Sequence, residues 1–222
     1  MKIADNILKH HLRNVYFLAG TACGGKTTMS KLIAHKYGFF LYDEHIFSSE
    51  HREMTNALEQ PAMMRKFPDW ETYFNRPVQE YSAWLSDALA EELEMSLIDL
   101  IKLSQQQKVV ADIHIDPEVA KRITEYGRIA FLVAEPELVV KDYYHRPDHR
   151  AIYDCIMGLP DPQKALQNCS DTLRYSITKT LQSVYESGMY TIKRDENSTV
   201  QATLALLEAH FGLQSDCSAK ER

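Results

Sequence analysis

The octapeptide Gly20-Thr21-Ala22-Cys23-Gly24-Gly25-Lys26-Thr27 fits the pattern G-x-x-x-x-G-K-[ST] and constrains this chain more than any other feature. Glycines let successive backbone N–H groups turn inward around phosphate oxygens, and a helix that starts where the loop ends presents its positive pole to the same anion. The pattern carries that meaning only between a strand and a helix. Both neighbours are here. Val15–Ala19 (VYFLA) is a short apolar run of the kind buried in a sheet, and Met29, Leu32 and Ile33 then share one helical face ahead of Gly38, a helix stop. Gly20, Thr21, Ala22, Cys23, Gly24, Gly25 and Thr28 are therefore expected to line a nucleotide phosphate site. Lys26 would reach the β- and γ-phosphates, and the Thr27 hydroxyl would bind Mg²⁺.

Downstream, apolar runs alternate with helical periodicity. FFLY (39–42) reads as a second strand, KVVADIHI (108–115) as a third, IAFLVA (129–134) as a fourth and Met189–Lys193 as a fifth. Tyr81, Leu85, Leu89, Leu93, Leu97 and Ile101 recur at four-residue spacing and predict a helix over Val78–Leu103 after Pro77. Its other face (Glu80, Asp87, Glu91, Glu92, Glu94) reads as solvated. Further helices are expected from Asp116-Pro117-Glu118 to Gly127, from Pro136, over Asp171–Ser187 and over Ser198–Phe211, with the last ten residues as a frayed tail. Residues 46–77 carry only weak patterning. Strands that alternate with helices imply a parallel sheet covered on both faces, an α/β class. No internal repeat or low-complexity linker divides the chain, so one domain is expected.

Composition narrows the partners. A net charge of −6 over 222 residues argues against a nucleic acid polymer, because neutralising phosphates needs clustered Lys and Arg. No apolar run approaches the roughly 18 residues that span a bilayer, and the charged stretch MKIADNILKHHLRN is unlike a secretory signal. Cys23, Cys155, Cys169 and Cys217 are widely spaced, which fits reduced thiols in a cytoplasmic protein better than a disulfide framework or metal cluster.

A phosphate cradle does not define a reaction, so other residues must. Asp43, closing the second strand, stands at the sheet edge where open α/β folds bind ligands; it can accept a proton from an acceptor hydroxyl, hold that hydroxyl, or simply cap a helix. Glu44 and His45 compete with it. Asp112 ends the run VVAD and can hold Mg²⁺ or its waters beside Thr27, although Ile113 and Ile115 continue the apolar pattern and would leave it mid-strand. His114 reads as a packed or rim histidine. In KDYYHRPDHR (141–150), Arg146 and Arg150 are four apart and would share a helical face if Pro147 allowed it; arginines there can stabilise a transferring phosphoryl group. Arg174 is a weaker third. Trp70, Tyr73, Phe74 and Trp84 read as core or pocket wall, one or two of Arg52, Arg65, Lys66 and Arg76 can bind an anionic acceptor, and Arg194-Asp195-Glu196-Asn197 is either an adenine contact or a cap.

With the phosphate loop, Asp43-Glu44-His45, VVAD and HRPDHR in this order, the chain resembles the nucleoside-monophosphate-kinase-like P-loop kinases, the group of adenylate, shikimate and gluconate kinases. The resemblance runs from about residue 14 to 211, and only the phosphate loop is a specific motif. It implies a three-layer α/β/α fold with a five-stranded parallel sheet, a helical acceptor-binding region at about 44–107 and an arginine-bearing lid at about 141–168, all within one domain over 1–222. It also implies that Lys26 and Thr27 serve phosphate and Mg²⁺, Asp43 the acceptor, and Arg146 and Arg150 the lid. Three family features are missing: the lid lacks the dense arginine pattern of adenylate-kinase types and a zinc-binding cysteine quartet, and there is no Asp-x-Asp after the second strand, which argues against a shikimate acceptor.

The expected function is thus ATP- and Mg²⁺-dependent phosphoryl transfer to a small-molecule acceptor: a nucleoside, a nucleotide or a hydroxylated metabolite. The rival is a nucleotide-sensing module with little turnover, docking partners through the acidic face of the 78–103 helix.

Overall fold

Alternating strand residues sort onto two faces, and each face is covered by its own helices. The computed structural model describes residues 3–213, so all but the first residue of the expected frayed tail lies outside the described residues. In chain order the elements are α1 (Asp5–His11), β1 (Val15–Gly20), α2 (Lys26–Tyr37), β2 (Phe40–Asp43), α3 (Glu44–Met54), α4 (Trp70–Phe74), α5 (Val78–Ser104), β3 (Val109–Asp112), α6 (Pro117–Ile123), β4 (Ile129–Ala134), α7 (Pro136–Tyr143), α8 (Arg150–Met157), α9 (Pro162–Ser187), β5 (Thr191–Arg194) and α10 (Val200–Phe211). The strands form one parallel sheet in the order β2-β3-β1-β4-β5.

Val15, Phe17, Ala19, Val109, Ala111, Ile129, Phe131 and Val133 face α5, α6, α7 and α9 through Leu93, Leu100, Ile123, Val139, Ile177 and Val184. Tyr16, Leu18, Val110, Ala130 and Leu132 face α2 and α10 through Met29, Ile33, Leu207 and Phe211. This is the expected three-layer α/β/α arrangement, and the central strands are apolar on both sides because neither face meets water. Each fully buried large side chain contributes about 1.5–3 kcal/mol by leaving water. A satellite core of Phe74, Tyr81, Ile156, Ala165 and Cys169 joins α4, α5, α8 and α9.

Several boundaries differ from those the sequence predicts. β3 ends at Asp112 and not at Ile115: Asp112 is opposite Leu18 in β1 and Asp43, the last residue of β2, and although Ile113 N still donates to Leu18 O at 3.2 Å, β2 has by then turned into α3. Ile113 and Ile115 remain buried as core residues beyond the strand. α6 stops at Ile123, before the predicted Gly127, as Thr124 turns extended and residues 126–128 form a 3-10 turn. α9 starts nine residues ahead of the predicted Asp171, at Pro162, with the Asp161 carboxylate capping Lys164 N and Ala165 and Cys169 extending the buried face.

Arg146 and Arg150 do not share a helix. A residue before proline is pushed to extended backbone, and Arg146 (φ −74°, ψ 142°) precedes a 3-10 turn over 147–149, so α8 begins only at Arg150. The acidic side of α5 is not wholly solvated either. Glu91 accepts hydrogen bonds from Ala62 N and Met63 N, at 2.9 and 2.8 Å, while Glu92 and Asp99 turn toward the buried His51 of α3. That withdraws part of the face a docking module would use.

Candidate functional site

The loop between β1 and α2 is pressed against β4. Thr21 N donates to Leu132 O (3.1 Å), and Ala134 N donates back to Thr21 Oγ1 (2.8 Å). A Cβ at Gly20 would lie 2.1 Å from Leu132 O and one at Gly24 2.2 Å from it, so both positions require glycine. Gly25, with φ +98°, serves as N-cap of α2. The first N–H groups of that helix have no intrahelical acceptor and face the loop, together with the helix's positive pole. Thr28 lies exposed in this first turn. Ala22 and Cys23 form the crest, Cys23 with its side chain buried.

Lys26 is buried, and its Nζ donates to Thr21 O at 3.0 Å. Burial lowers its pKa, with Asp112 and Glu44 pulling the other way. Thr27 Oγ1 donates to Asp112 Oδ2 at 2.6 Å, joining α2 to the end of β3. Burial raises the Asp112 pKa, and the Asp43 and Glu44 charges add to that rise against Lys26 and the Thr27 bond. One buried ammonium thus sits within the field of two carboxyl groups, Asp112 and Glu44, at the carboxyl edge of the sheet.

Asp43 ends β2 opposite Asp112, and its Oδ1 accepts from His45 N at 3.1 Å as the N-cap of α3. The capping alternative is therefore realised, while the residue still stands at the sheet edge. Glu44 is buried: Oε2 accepts from His114 N at 2.9 Å, and Oε1 pairs with the ring Nδ1 of His114. Burial pushes the Glu44 carboxyl up, but the His114 ring and its two hydrogen bonds outweigh this and hold the pKa below its ordinary value. The rings of His45 and His114 lie 6.1 Å apart.

Beyond β4, Arg146 reaches the loop. Its Nη1 is 4.0 Å from Cys23 Sγ, while Nε and Nη2 donate to the two oxygens of Asp148, at 3.0 and 2.6 Å. Arg150 is mostly exposed and paired with Asp154; it joins Arg146, Tyr144, His145 and Tyr153 in lining an open cleft. Arg174 is engaged by Glu137 and Asp171. The Asp195 carboxylate closes a turn, accepting from Asn197 N and Ser198 Oγ, while the cap of α10 is Thr199; Arg194 itself donates from Nη1 to Cys23 O at 2.6 Å.

In the region after β2, Arg76 is only 4% exposed and sits amid four rings, with its Cζ 4.2 Å from the centre of Phe67, 4.7 Å from Tyr73, 3.9 Å from Tyr81 and 4.3 Å from Trp84. Nε donates to Tyr73 O (2.9 Å), and neither Nη has a hydrogen-bond partner among the described residues. The π faces stabilise the cation where no carboxylate does, and burial lowers its pKa. Arg65 is held at the surface by Glu80.

The structure brings Lys26, Thr27, Asp112 and Asp43 to one edge, adds Arg146 at the loop, and leaves Arg150 on the cleft's outer side. Sequence reasoning missed the pairing of Glu44 with His114 and the contact of Arg194 with Cys23. The partners are 70 and 171 residues apart, and only the β2-β3 and β1-β4-β5 neighbourhoods of the sheet bring them together. Thr27 Oγ1 and Asp112 Oδ2 are hard oxygen donors side by side, a donor set that fits Mg²⁺. Among the described residues no group of three or more His, Cys, Asp or Glu is arranged to hold a metal.

The fold is that of the P-loop small-molecule kinases. Shikimate kinase from Bacteroides thetaiotaomicron matches with a TM-score of 0.51 at 18% identity, over 90% of this chain and 98% of that one. Shikimate kinase from Acinetobacter baumannii, solved in complex with shikimate, matches with a TM-score of 0.51 at 15% identity, over 89% of this chain and 93% of that one. No protein-family model matches the sequence, and no curated protein matches it.

Proposed function

We propose that the protein is a kinase that transfers the γ-phosphoryl group of ATP to a hydroxyl of a small molecule: a nucleoside, a nucleotide or a hydroxylated metabolite. The observation that carries this reading is the 2.6 Å contact of Thr27 with Asp112 at the mouth of a glycine cradle, beside the buried Lys26. A cradle alone binds phosphate; the hydroxyl–carboxylate pair next to it, suited to Mg²⁺, is what phosphoryl transfer adds.

The loop N–H groups of residues 22–28 would hold the β-phosphate, with Lys26 bridging to the γ-phosphate. Thr27 Oγ1 and Asp112 Oδ2 would hold Mg²⁺, which when bound neutralises charge on the transferring group. Asp43, across the sheet edge from Asp112, would receive the acceptor hydroxyl. Arg146 would exchange Asp148 for the γ-phosphate, and residues 141–168 would close as a lid that excludes water. Residues 44–107 would form the acceptor-binding region, with Arg76 supplying spare donors for an anionic acceptor group.

Asp43→Asn separates a kinase from a nucleotide sensor. Phosphoryl transfer should fall by roughly 100-fold or more with ATP affinity unchanged, as for loss of a positioned base or hydroxyl anchor. Equal turnover by mutant and wild type would remove Asp43 from the mechanism.

A further inference from the structure

We infer that Arg194, the last residue of β5, is a positioning residue for the phosphate cradle: it fixes the peptide unit between Cys23 and Gly24 so that the loop's N–H groups face inward. The inference rests on the reading of residues 20–28 as a nucleotide cradle. Cys23 has φ +57° and is the sole non-glycine residue with positive φ among the described residues. That conformation costs roughly 1–2 kcal/mol for an L-residue and persists only where surrounding contacts hold it. Arg194 Nη1 provides such a contact, donating to Cys23 O at 2.6 Å.

The geometry has a direct consequence for the anion site. In a trans peptide the carbonyl of one residue and the N–H of the next point in opposite directions, and no cis bond occurs among the described residues. With Cys23 O held outward on Arg194, Gly24 N–H is turned into the loop, where it meets Thr21 O at 3.4 Å. That is a long hydrogen bond, which a phosphate oxygen can replace at little cost. A guanidinium on the carbonyl also polarises the peptide and makes its N–H the stronger donor.

Nothing else described here holds the crest in this way. Thr21 ties the loop's entry to β4, and Gly25 begins α2. Arg146 approaches Cys23 from the side-chain end, at Sγ and not at the carbonyl. Arg194 is itself fixed, lying opposite Ala134 in register and followed by the turn that Asp195 closes on Asn197 N and Ser198 Oγ, both at 2.9 Å. Among the described residues it has no carboxylate partner, so its charge is directed at the loop.

The test is calorimetric binding of Mg²⁺-ATP and of inorganic tripolyphosphate to wild type, Arg194→Met, Arg194→Lys and Lys26→Ala, with thermal unfolding of each. Arg194→Met should weaken both ligands by a similar factor, roughly tenfold, as for the loss of one charge-assisted hydrogen bond. Arg194→Lys should recover part of that loss, and the unfolding midpoints should stay together. Tripolyphosphate has neither base nor ribose, so a loss confined to ATP would overturn the inference by showing that Arg194 touches the nucleoside. Equal affinities for wild type and Arg194→Met would overturn it as well. If wild type itself binds neither ligand, or Lys26→Ala binds both as tightly as wild type, the cradle reading fails first and takes this inference with it.

Discussion

The hydroxyl of Thr27 donates a 2.6 Å hydrogen bond to Asp112 Oδ2, across 85 residues of sequence. One group comes from the first turn of α2, the other from the end of β3 next to β1. The contact exists because β1 and β3 are parallel neighbours whose carboxyl ends lie at the same edge of the sheet. It joins the residue that follows the loop lysine to a buried carboxylate, and it is the point on which the proposed assignment of metal and phosphate rests.

Asp112→Asn keeps the shape and the hydrogen bond from Thr27 but removes the charge. The Mg²⁺ concentration that half-saturates ATP-dependent turnover should rise by roughly 10- to 100-fold, the range seen when groups supporting a metal are altered. A Mg²⁺ titration of both proteins checks this. An unchanged half-saturation point would leave Asp112 as a structural strand-end carboxylate.

The glycines of the loop should differ in their tolerance of a methyl group. Gly20→Ala puts a Cβ within 2.1 Å of Leu132 O at φ +118°, so both backbone strain and a collision with β4 oppose it. A loss of about 3 kcal/mol or more is expected. Gly25→Ala meets nothing within 4 Å and bears only the strain of φ +98°, about 1–2 kcal/mol. Urea denaturation of the two variants should rank them in that order.

Glu44 gives the fold an acid-sensitive joint. Burial opposes its ionisation, yet the His114 ring and hydrogen bonds bring the folded pKa below the ordinary 4.5. A carboxyl group whose pKa is lower in the folded than in the unfolded state stabilises the fold above the unfolded pKa and loses that contribution as pH falls through the folded one. Wild type should therefore exceed Glu44→Gln in stability by about 1–3 kcal/mol at pH 7, the range for a hydrogen-bonded charged group. The gap should shrink as pH falls below about 4.5. Denaturation at pH 7 and at acid pH checks the sign; a gap that widens in acid would contradict it.

Much of this architecture was legible in the chain. β4 begins and ends where its apolar run does, at Ile129 and Ala134, because a strand buried on both faces advertises itself by composition. The other strands fall within one to three residues of their predicted ends, and the phosphate loop lies between strand and helix as its pattern requires. The misreadings have separate causes. Ile113 and Ile115 are apolar because they are buried, but strand pairing needs a neighbour as well as burial, and the paired register of β3 with both β1 and β2 ends at Asp112, with one last bond from Ile113 N to Leu18 O. The true start of α9 was marked by Asp161-Pro162, a cap and a first-turn proline, yet the polar run after it hides the buried Ala165 and Cys169.

The site was legible where one segment carries it and obscure where distant segments meet. Lys26 and Thr27 follow from a single motif. Asp112 and Asp43 could be placed at the sheet edge from strand ends, although their register to each other could not. The partner of His114 is on another strand's helix, and the environment of Arg76 is assembled from 67–84, so no local pattern reveals either. Arg194 reads as part of a loop that either contacts adenine or caps a helix until β5 is known to lie beside β4.

The central claim is phosphoryl transfer, and it is tested most directly by incubating the protein with ATP and Mg²⁺ against pools of nucleosides, nucleotides, sugars and hydroxy acids, with products read by mass spectrometry and Lys26→Ala as control. The account predicts an acceptor heavier by one phosphoryl group in at least one pool, together with ADP, and neither from the mutant. Tight ATP binding with no phosphorylated product in any pool would contradict it and favour a nucleotide-sensing role for the same cradle.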